Sequence, residues 1–189
     1  MRLSLFTLII TSTVIAAPVP KAEKTDELYF PIQIGAKRVL VGPGRTETIT
    51  VTKVEEKGGK YTVTVETSFD ELPGRKRSYV YEVSKDGLFQ KTEDGKTYTL
   101  LKLPYKEGTT WTTIDEKPED KVTYTYTVGK QEEVEVPAGK YKAIAVEVVI
   151  EQLGGETKKV TSWYAAGIGL IKVERNELKE FTPGKADRK

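Results

Sequence analysis

The residues of this chain whose types and spacing could form a binding site are aromatic. Tyrosines stand at every second position of several segments in which apolar and polar side chains alternate. Alternate side chains of an extended strand point to the same face, so these rings could together line a cavity for an apolar or planar ligand. We predict ligand contacts by Tyr79, Tyr81, Trp111, Tyr124, Tyr126, Trp163 and Tyr164. The alternative is that these rings only fill the core, because tyrosine also packs well within sheets.

The composition excludes several kinds of catalytic site. The chain has no cysteine and no histidine, which rules out disulfides, thiolate nucleophiles, Cys/His zinc sites and serine–histidine relays. It contains no calcium loop of the Asp-x-Asp-x-Asp-Gly type and no glycine-rich phosphate loop. We therefore predict a protein that is not an enzyme and that uses no cofactor and no metal.

One enzymatic hypothesis remains as a third possibility. A carboxylate-dependent hydrolase needs two acids near one cleft, and few acidic residues are predicted to face inward. Glu147 shares a strand face with Tyr141, Ala145 and Val149, and it is the acid whose titration could be altered. The hypothesis requires that this face is buried.

The charge balance argues against a nucleic-acid partner. The chain has 30 basic and 28 acidic residues, a formal net charge of +2, so no strong field attracts nucleic acid or a membrane surface. Two short basic clusters, Arg75-Lys76-Arg77 and Lys158-Lys159, are interpreted as solvated surface. The partners we expect are an apolar small molecule or lipid, or a protein of the cell envelope.

The first residues have the organisation of a secretory signal. Arg2 is followed by an apolar run from Leu3 to Ile15, and Ala16 provides a small residue for cleavage. The run is short for a membrane span, which needs about 20 residues. We predict a signal peptide over residues 1–16, a linker over 17–29, and a mature protein without a membrane span in an extracytoplasmic space, periplasmic or secreted.

The remaining sequence predicts an all-β domain over residues 30–181, followed by a flexible tail over 182–189. Segments with a two-residue period are separated by short turns rich in glycine, proline and aspartate. Strands joined by short turns must be antiparallel. We predict a single antiparallel meander of about 11–12 strands that forms a barrel, a half-barrel or a curled sheet. The longest predicted strand precedes Gly154 and is predicted to be buried on nearly both faces.

Three motifs carry a resemblance to a known family. The sequence has VPAGKYKA from Val136, WYAAGIGLIKVE from Trp163 and LPYKEGTTW from Leu103. These segments resemble an uncharacterised family of exported bacterial β-barrel proteins, similar in outline to the half-barrels of lipoprotein carriers. In that pattern a second tryptophan follows the first glycine, whereas Arg38 stands in the region after Gly35 here. The resemblance implies a curled antiparallel sheet in the periplasm or at the cell surface.

Two functional hypotheses follow for the β domain. The preferred one is an exported, non-enzymatic binding protein that takes an apolar ligand or an envelope partner into an aromatic-lined concavity. The alternative is a structural or assembly module with a solid core, which acts through loops such as Phe69 to Arg77 or Pro104 to Thr110. An interior without a pocket of a few hundred Å³ would favour the alternative.

Overall fold

A computed structural model of the protein describes residues 28–117, 120–152, 155 and 157–185. The predicted signal peptide, most of the predicted linker and the last four residues of the predicted tail lie outside the described residues. Within the described part, none of the segments is a helix that could cross a membrane.

The described residues form a single sheet of antiparallel strands, which confirms the predicted all-β meander. The strands are β1 (Lys37–Gly42), β2 (Arg45–Lys57), β3 (Lys60–Phe69), β4 (Lys76–Ser84), β5 (Gly87–Lys91), β6 (Thr97–Lys102), β7 (Thr110–Lys117), β8 (Asp120–Val136), β9 (Gly139–Gln152), β10 (Lys158–Ala165), β11 (Gly169–Val173) and β12 (Asn176–Thr182).

Turn chemistry explains why consecutive strands pair as hairpins. Between β2 and β3, Gly58 and Gly59 have φ values of 60° and 75°, as the two central residues of the tight hairpin turn favoured by twisted strands require. The two strands then remain in register from Lys57 opposite Lys60 to Glu47 opposite Phe69, apart from one bulge after Val51. The tight turn thus fixes the pairing of β2 with β3.

The sheet curls because the first and last strands pair with each other. β1 lies antiparallel to β12, with Lys37 opposite Thr182 and Val41 opposite Glu177. The hydrogen-bonded order therefore runs from β6 through β1 and β12 to β7. The free edges are β6 and β7, which are neighbours in sequence, and the result is a nearly closed barrel.

The main core lies inside this barrel. It contains buried apolar residues from every strand between β2 and β10, and only an interior can bring these together. A segment before β1, residues 28–36, contributes to the same core and is called the N-terminal segment below. Its residues Leu28, Tyr29 and Phe30 are buried, although the first two fall in the predicted linker.

A second core gathers the ends of β8 and β9 against β1, β10, β11 and β12. Its buried members are Leu40, Val134, Val136, Ala143, Ala165, Ile168, Ile171 and Leu178. Because β9 contributes to both cores, Ala143 to Val146 are buried without interruption. The predicted burial on nearly both faces of this strand is therefore found at its centre, while its two ends are half-buried or exposed.

The strand β8 continues past Gly129 to Val136. Gly129 does not terminate the strand, because a bulge between Val128 and Gln131 lets the pairing with β9 continue to Val136. A side chain at position 129 would lie 3.2 Å from the Cβ atom of Ala145, so glycine is suited to this close approach.

Candidate functional site

The interior of the barrel contains a cavity of about 70 Å³. Its walls come from β1, from six other strands and from the N-terminal segment. They combine apolar side chains with three polar ones. The lining residues are Phe30, Arg38, Ile49, Tyr81, Leu88, Leu100, Tyr164 and Leu170. The site can therefore surround the apolar part of a ligand and also donate hydrogen bonds to a polar end of the same ligand.

Arg38 is the unusual residue of this cavity, because it is a cation with only 3% of its surface exposed. Its guanidinium lies 4.6 Å from the centre of the Phe30 ring. Among the ion pairs that the described residues form, none within 4.0 Å joins Arg38 to a carboxylate. Burial lowers the pKa of Arg38, an effect that nearby Tyr81, Glu47 and Tyr164 oppose. A buried charge without an opposite charge is unfavourable.

Tyr81 and Tyr164 supply the other polar groups of the cavity. Burial raises the pKa of both hydroxyls, and for Tyr164 the proximity of Tyr81 adds to the effect. Both groups therefore remain neutral and can donate hydrogen bonds. The Tyr81 ring also lies 4.6 Å from the ring of Phe30, so the cavity, Arg38 and the N-terminal segment meet at one place.

The N-terminal segment closes the cavity with the side chain of Phe30. The amide of Gly167 donates a 2.7 Å hydrogen bond to the carbonyl oxygen of Leu28 and holds the segment against the β10–β11 turn. Gly169, at the end of this turn, has a φ of 90°, and a Cβ atom there would lie 2.6 Å from Nη1 of Arg38. A glycine thus gives the arginine and the segment room to pack.

A second concave surface lies at the rim of the barrel, where the β1–β2 and β3–β4 turns meet. This rim groove has a volume of about 380 Å³ and is lined by Gly44, Arg45, Phe69, Glu71, Leu72 and Arg77. It is open to solvent and includes part of the predicted loop Phe69 to Arg77.

Two arginines of the rim groove contact one aromatic ring. The guanidinium of Arg45 lies 4.7 Å from the centre of the Phe69 ring, and that of Arg77 lies 5.6 Å from it. Arg45 also pairs with Glu47 at 3.6 Å. Burial raises the pKa of Glu47, while Arg45, Arg38 and Arg77 oppose that shift. Glu47 thus interacts electrostatically both with Arg38 and with the arginines of the rim.

Of the seven predicted ligand-binding residues, Tyr81 and Tyr164 line the interior cavity. Tyr79 and Tyr124 pack against the main core, and Tyr124 makes an edge-to-face contact with Tyr98 at 6.1 Å. Trp111 and Tyr126 stack with their ring centres 5.1 Å apart and their planes nearly parallel. These four rings serve packing in this structure, and the cavity does not include them.

Trp163 lies apart from the cavity. Its neighbour Tyr164 faces the main core, whereas the Trp163 side chain packs against the second core. Its indole nitrogen donates a 2.8 Å hydrogen bond to Glu132, and Lys172 lies 5.8 Å from the ring centre. Adjacent residues of a strand point to opposite faces, so the two neighbours cannot line the same space.

Three residues that shape the interior are not among the predicted site residues. Phe30 and Arg38 line the cavity, and the Tyr105 hydroxyl fills the β8 bulge by accepting from the amide of Gln131 at 3.1 Å and donating to the Gly129 carbonyl oxygen at 3.2 Å. One signal was available for Arg38, because it alternates with Leu40, a core residue. A lone charged residue in a short strand is usually exposed, so this signal was weak.

Glu147 does not meet the condition of the hydrolase hypothesis. Its carboxylate pairs with Lys159 at 2.6 Å, and 36% of its side chain is exposed. The face that carries it is therefore solvated. Nowhere among the described residues do three acidic side chains converge in a way that could hold a metal ion.

Part of the chain is similar to a known protein family. Residues 106–182 match the model of the DUF3108-like family, a range that contains the VPAGKYKA and WYAAGIGLIKVE segments. No curated protein sequence is significantly similar to the chain.

Two solved structures have the same architecture. One is of a proposed lipoprotein from Parabacteroides distasonis, with a TM-score of 0.58 and 12% identity over 82% of this chain and 99% of that chain. The other is of a proposed exported protein with a YmcC-like fold from Bacteroides fragilis, with a TM-score of 0.56 and 15% identity over the same shares. At these identities the likeness concerns the fold alone.

Proposed function

We propose that this protein is an exported, non-enzymatic binding protein whose barrel interior takes up an apolar ligand. The observation that carries the proposal is the interior cavity, in which four aliphatic side chains and Phe30 surround Arg38, Tyr81 and Tyr164. Binding sites for small molecules are typically apolar pockets with a few polar groups that orient the ligand. This cavity has that composition.

The cavity is smaller than its proposed ligand, so the N-terminal segment must move. Typical ligand sites have about 300–1,000 Å³, whereas this cavity has about 70 Å³. Phe30 occupies adjoining space between Tyr81 and Arg38, and it belongs to a segment outside the sheet ladder. We propose that the ligand takes the place of the Phe30 side chain, which is displaced when the interior is filled.

The proposed location is extracytoplasmic. The predicted signal peptide supports it, and both structural neighbours are described as a proposed lipoprotein or exported protein. Mass spectrometry of the protein recovered after expression with its own leader tests this, since cleavage after Ala16 is expected. Recovery of the intact chain in the cytoplasm would contradict it.

Uptake of diphenylhexatriene, a neutral fluorophore that brightens in apolar surroundings, tests the binding function. We expect saturable uptake, which Leu100→Phe should weaken about 10-fold, equivalent to about 1.4 kcal/mol, because the added ring fills the cavity. Phe30→Leu should strengthen uptake by opening the interior. The matched control is Ile114→Phe, at a side chain that is 47% exposed, and it should bind like the unmodified protein.

A second candidate is a structural module with a filled interior that acts through the rim groove. The small size of the interior cavity favours it, as does the location of the groove on the loop after Phe69. No uptake of the fluorophore, or equal uptake by all four proteins, would support this candidate over the binding function.

A further inference from the structure

We propose that the ligand is an amphiphile with a singly charged oxyanion head, which accepts hydrogen bonds from the Arg38 guanidinium while its apolar chain occupies the space of the Phe30 side chain. This inference rests on the proposed binding function and names the chemical class of its ligand. It assigns Arg38 the role of a specificity determinant.

Arg38 forms no ion pair with a carboxylate among the residues that the structure describes. It lines the cavity with 3% of its surface exposed. Its ring contact with Phe30 at 4.6 Å offsets part of the cost of burial but does not neutralise the charge. A ligand that brings the opposite charge explains why an arginine occupies this buried position.

Glu47 is the acid that interacts with Arg38 electrostatically. Glu47 pairs with Arg45 at 3.6 Å and also interacts with Arg77. Glu47 is therefore shared among three arginines and does not neutralise Arg38 alone. A negatively charged head next to Arg38 would supply the opposite charge that this shared carboxylate does not.

The arrangement of hydrogen-bond donors in the cavity suits an oxyanion. A guanidinium presents its donors as a planar fork that matches the oxygens of a carboxylate or a phosphate. The neutral hydroxyls of Tyr81 and Tyr164 line the same cavity and could donate to the same oxygens. The four aliphatic side chains around them suit the first carbons of a chain. One cation in this setting favours a head with one negative charge.

Calorimetric titration with dodecanoate and with dodecanol separates the head group from the chain. We expect dodecanoate to bind about 10- to 100-fold more tightly than dodecanol, the range for a hydrogen bond to a charged group. In Arg38→Met this ratio should fall to about 1. The matched control is Arg175→Met, the same change at an exposed arginine of the β11–β12 turn, and it should keep the full ratio.

Stability provides a second readout that a purely structural arginine would not give. Without ligand, Arg38→Met should unfold at the same or a higher denaturant concentration than the unmodified protein, because it removes an uncompensated buried charge. Arg38→Lys retains the charge and should keep part of the preference for dodecanoate. A methionine variant that fails to fold would show that Arg38 serves folding, and the inference would be wrong.

The remaining outcomes separate this inference from the proposed function. Equal affinity for dodecanoate and dodecanol would overturn the anionic head and leave the binding function intact. No binding of either compound would overturn both. A titration with lauroyl lysophosphatidylglycerol, whose phosphodiester carries one negative charge, identifies the source of the oxyanion, since tighter binding than dodecanoate indicates a phospholipid head and weaker binding indicates a free carboxylate.

Discussion

The indole nitrogen of Trp111 donates a 2.9 Å hydrogen bond to the carbonyl oxygen of Thr99, and this bond connects β7 to β6. These two strands are the ends of the hydrogen-bonded order of the sheet. Around the same seam, Lys96 bonds to Asp115, and Lys102 lies 5.3 Å from the centre of the Trp111 ring. Side chains thus close the barrel where the backbone ladder stops.

Replacing Trp111 should therefore loosen the seam. We expect Trp111→Ala to lower the free energy of unfolding by about 3–5 kcal/mol, because the ring is 9% exposed and stacks on Tyr126. Trp111→Phe keeps an aromatic ring and removes the hydrogen bond to Thr99, at a cost of about 1–3 kcal/mol for the unsatisfied carbonyl. Urea denaturation measures both, with Ile114→Ala on the same strand as the exposed control. A loss below about 1 kcal/mol for Trp111→Ala would show that the ring does not support the fold.

Buried tyrosines should make the fold sensitive to alkaline pH. Burial raises the pKa of Tyr126 to about 12, whereas the unfolded group titrates near pH 10. Between these values the unfolded chain loses the phenolic proton and the folded chain keeps it, so stability falls as pH rises, by up to about 1.4 kcal/mol per pH unit. Denaturation at a series of pH values should show this loss, and Tyr126→Phe should reduce it. An unchanged pH profile in that variant would contradict the assignment.

The adjacent residues Trp163 and Tyr164 allow a paired test of the cavity. Tyr164→Phe removes a hydroxyl from the cavity lining and should weaken the binding of dodecanoate several-fold, about 1 kcal/mol for a neutral hydrogen bond. Trp163→Phe alters a ring that packs against the second core and should leave the affinity unchanged. Titration of both variants checks this. Weaker binding by Trp163→Phe alone would show that the ligand binds on the other face of β10.

Glu147 should have no role in either stability or binding. Its ion pair with Lys159 is solvated, and exposed pairs contribute about 0–1 kcal/mol. We expect Glu147→Gln to change the free energy of unfolding by less than about 1 kcal/mol and to leave diphenylhexatriene uptake unchanged. A larger effect on uptake would reopen the question of a functional acid on this face.

The close packing at Gly169 predicts a cost for any side chain there. Gly169 and Gly44 have φ values of 90° and 67°, so alanine is strained at both positions. Only at Gly169 would the Cβ atom collide, at 2.6 Å from Arg38, while the space around Gly44 is open. We expect Gly169→Ala to destabilise the protein by about 1–3 kcal/mol more than Gly44→Ala. Equal losses in urea denaturation would show that the arginine can move aside.

Much of the strand content was predictable, because the alternation of apolar and polar residues indicates which side chains share a face. Tyr79 and Tyr81 were predicted on one face, and both contact the main core. Turn residues such as Gly58 and Gly59 located the hairpins, since few residues tolerate a positive φ. The cavity was less predictable. Tyr81 and Tyr164 were identified as candidates, but alternation does not distinguish a ring beside a cavity from one in a solid core, such as Tyr126.

The sequence by itself determined an antiparallel meander with aromatic side chains on its inner face, because a two-residue period and short turns are local properties. The tertiary structure decided how that meander closes. The pairing of Lys37 with Thr182 depends on the accumulated twist of the strands between them, which no local pattern encodes. That closure also places Phe30 and Arg38 in the interior, and burial, rather than residue type, gives the arginine its proposed role.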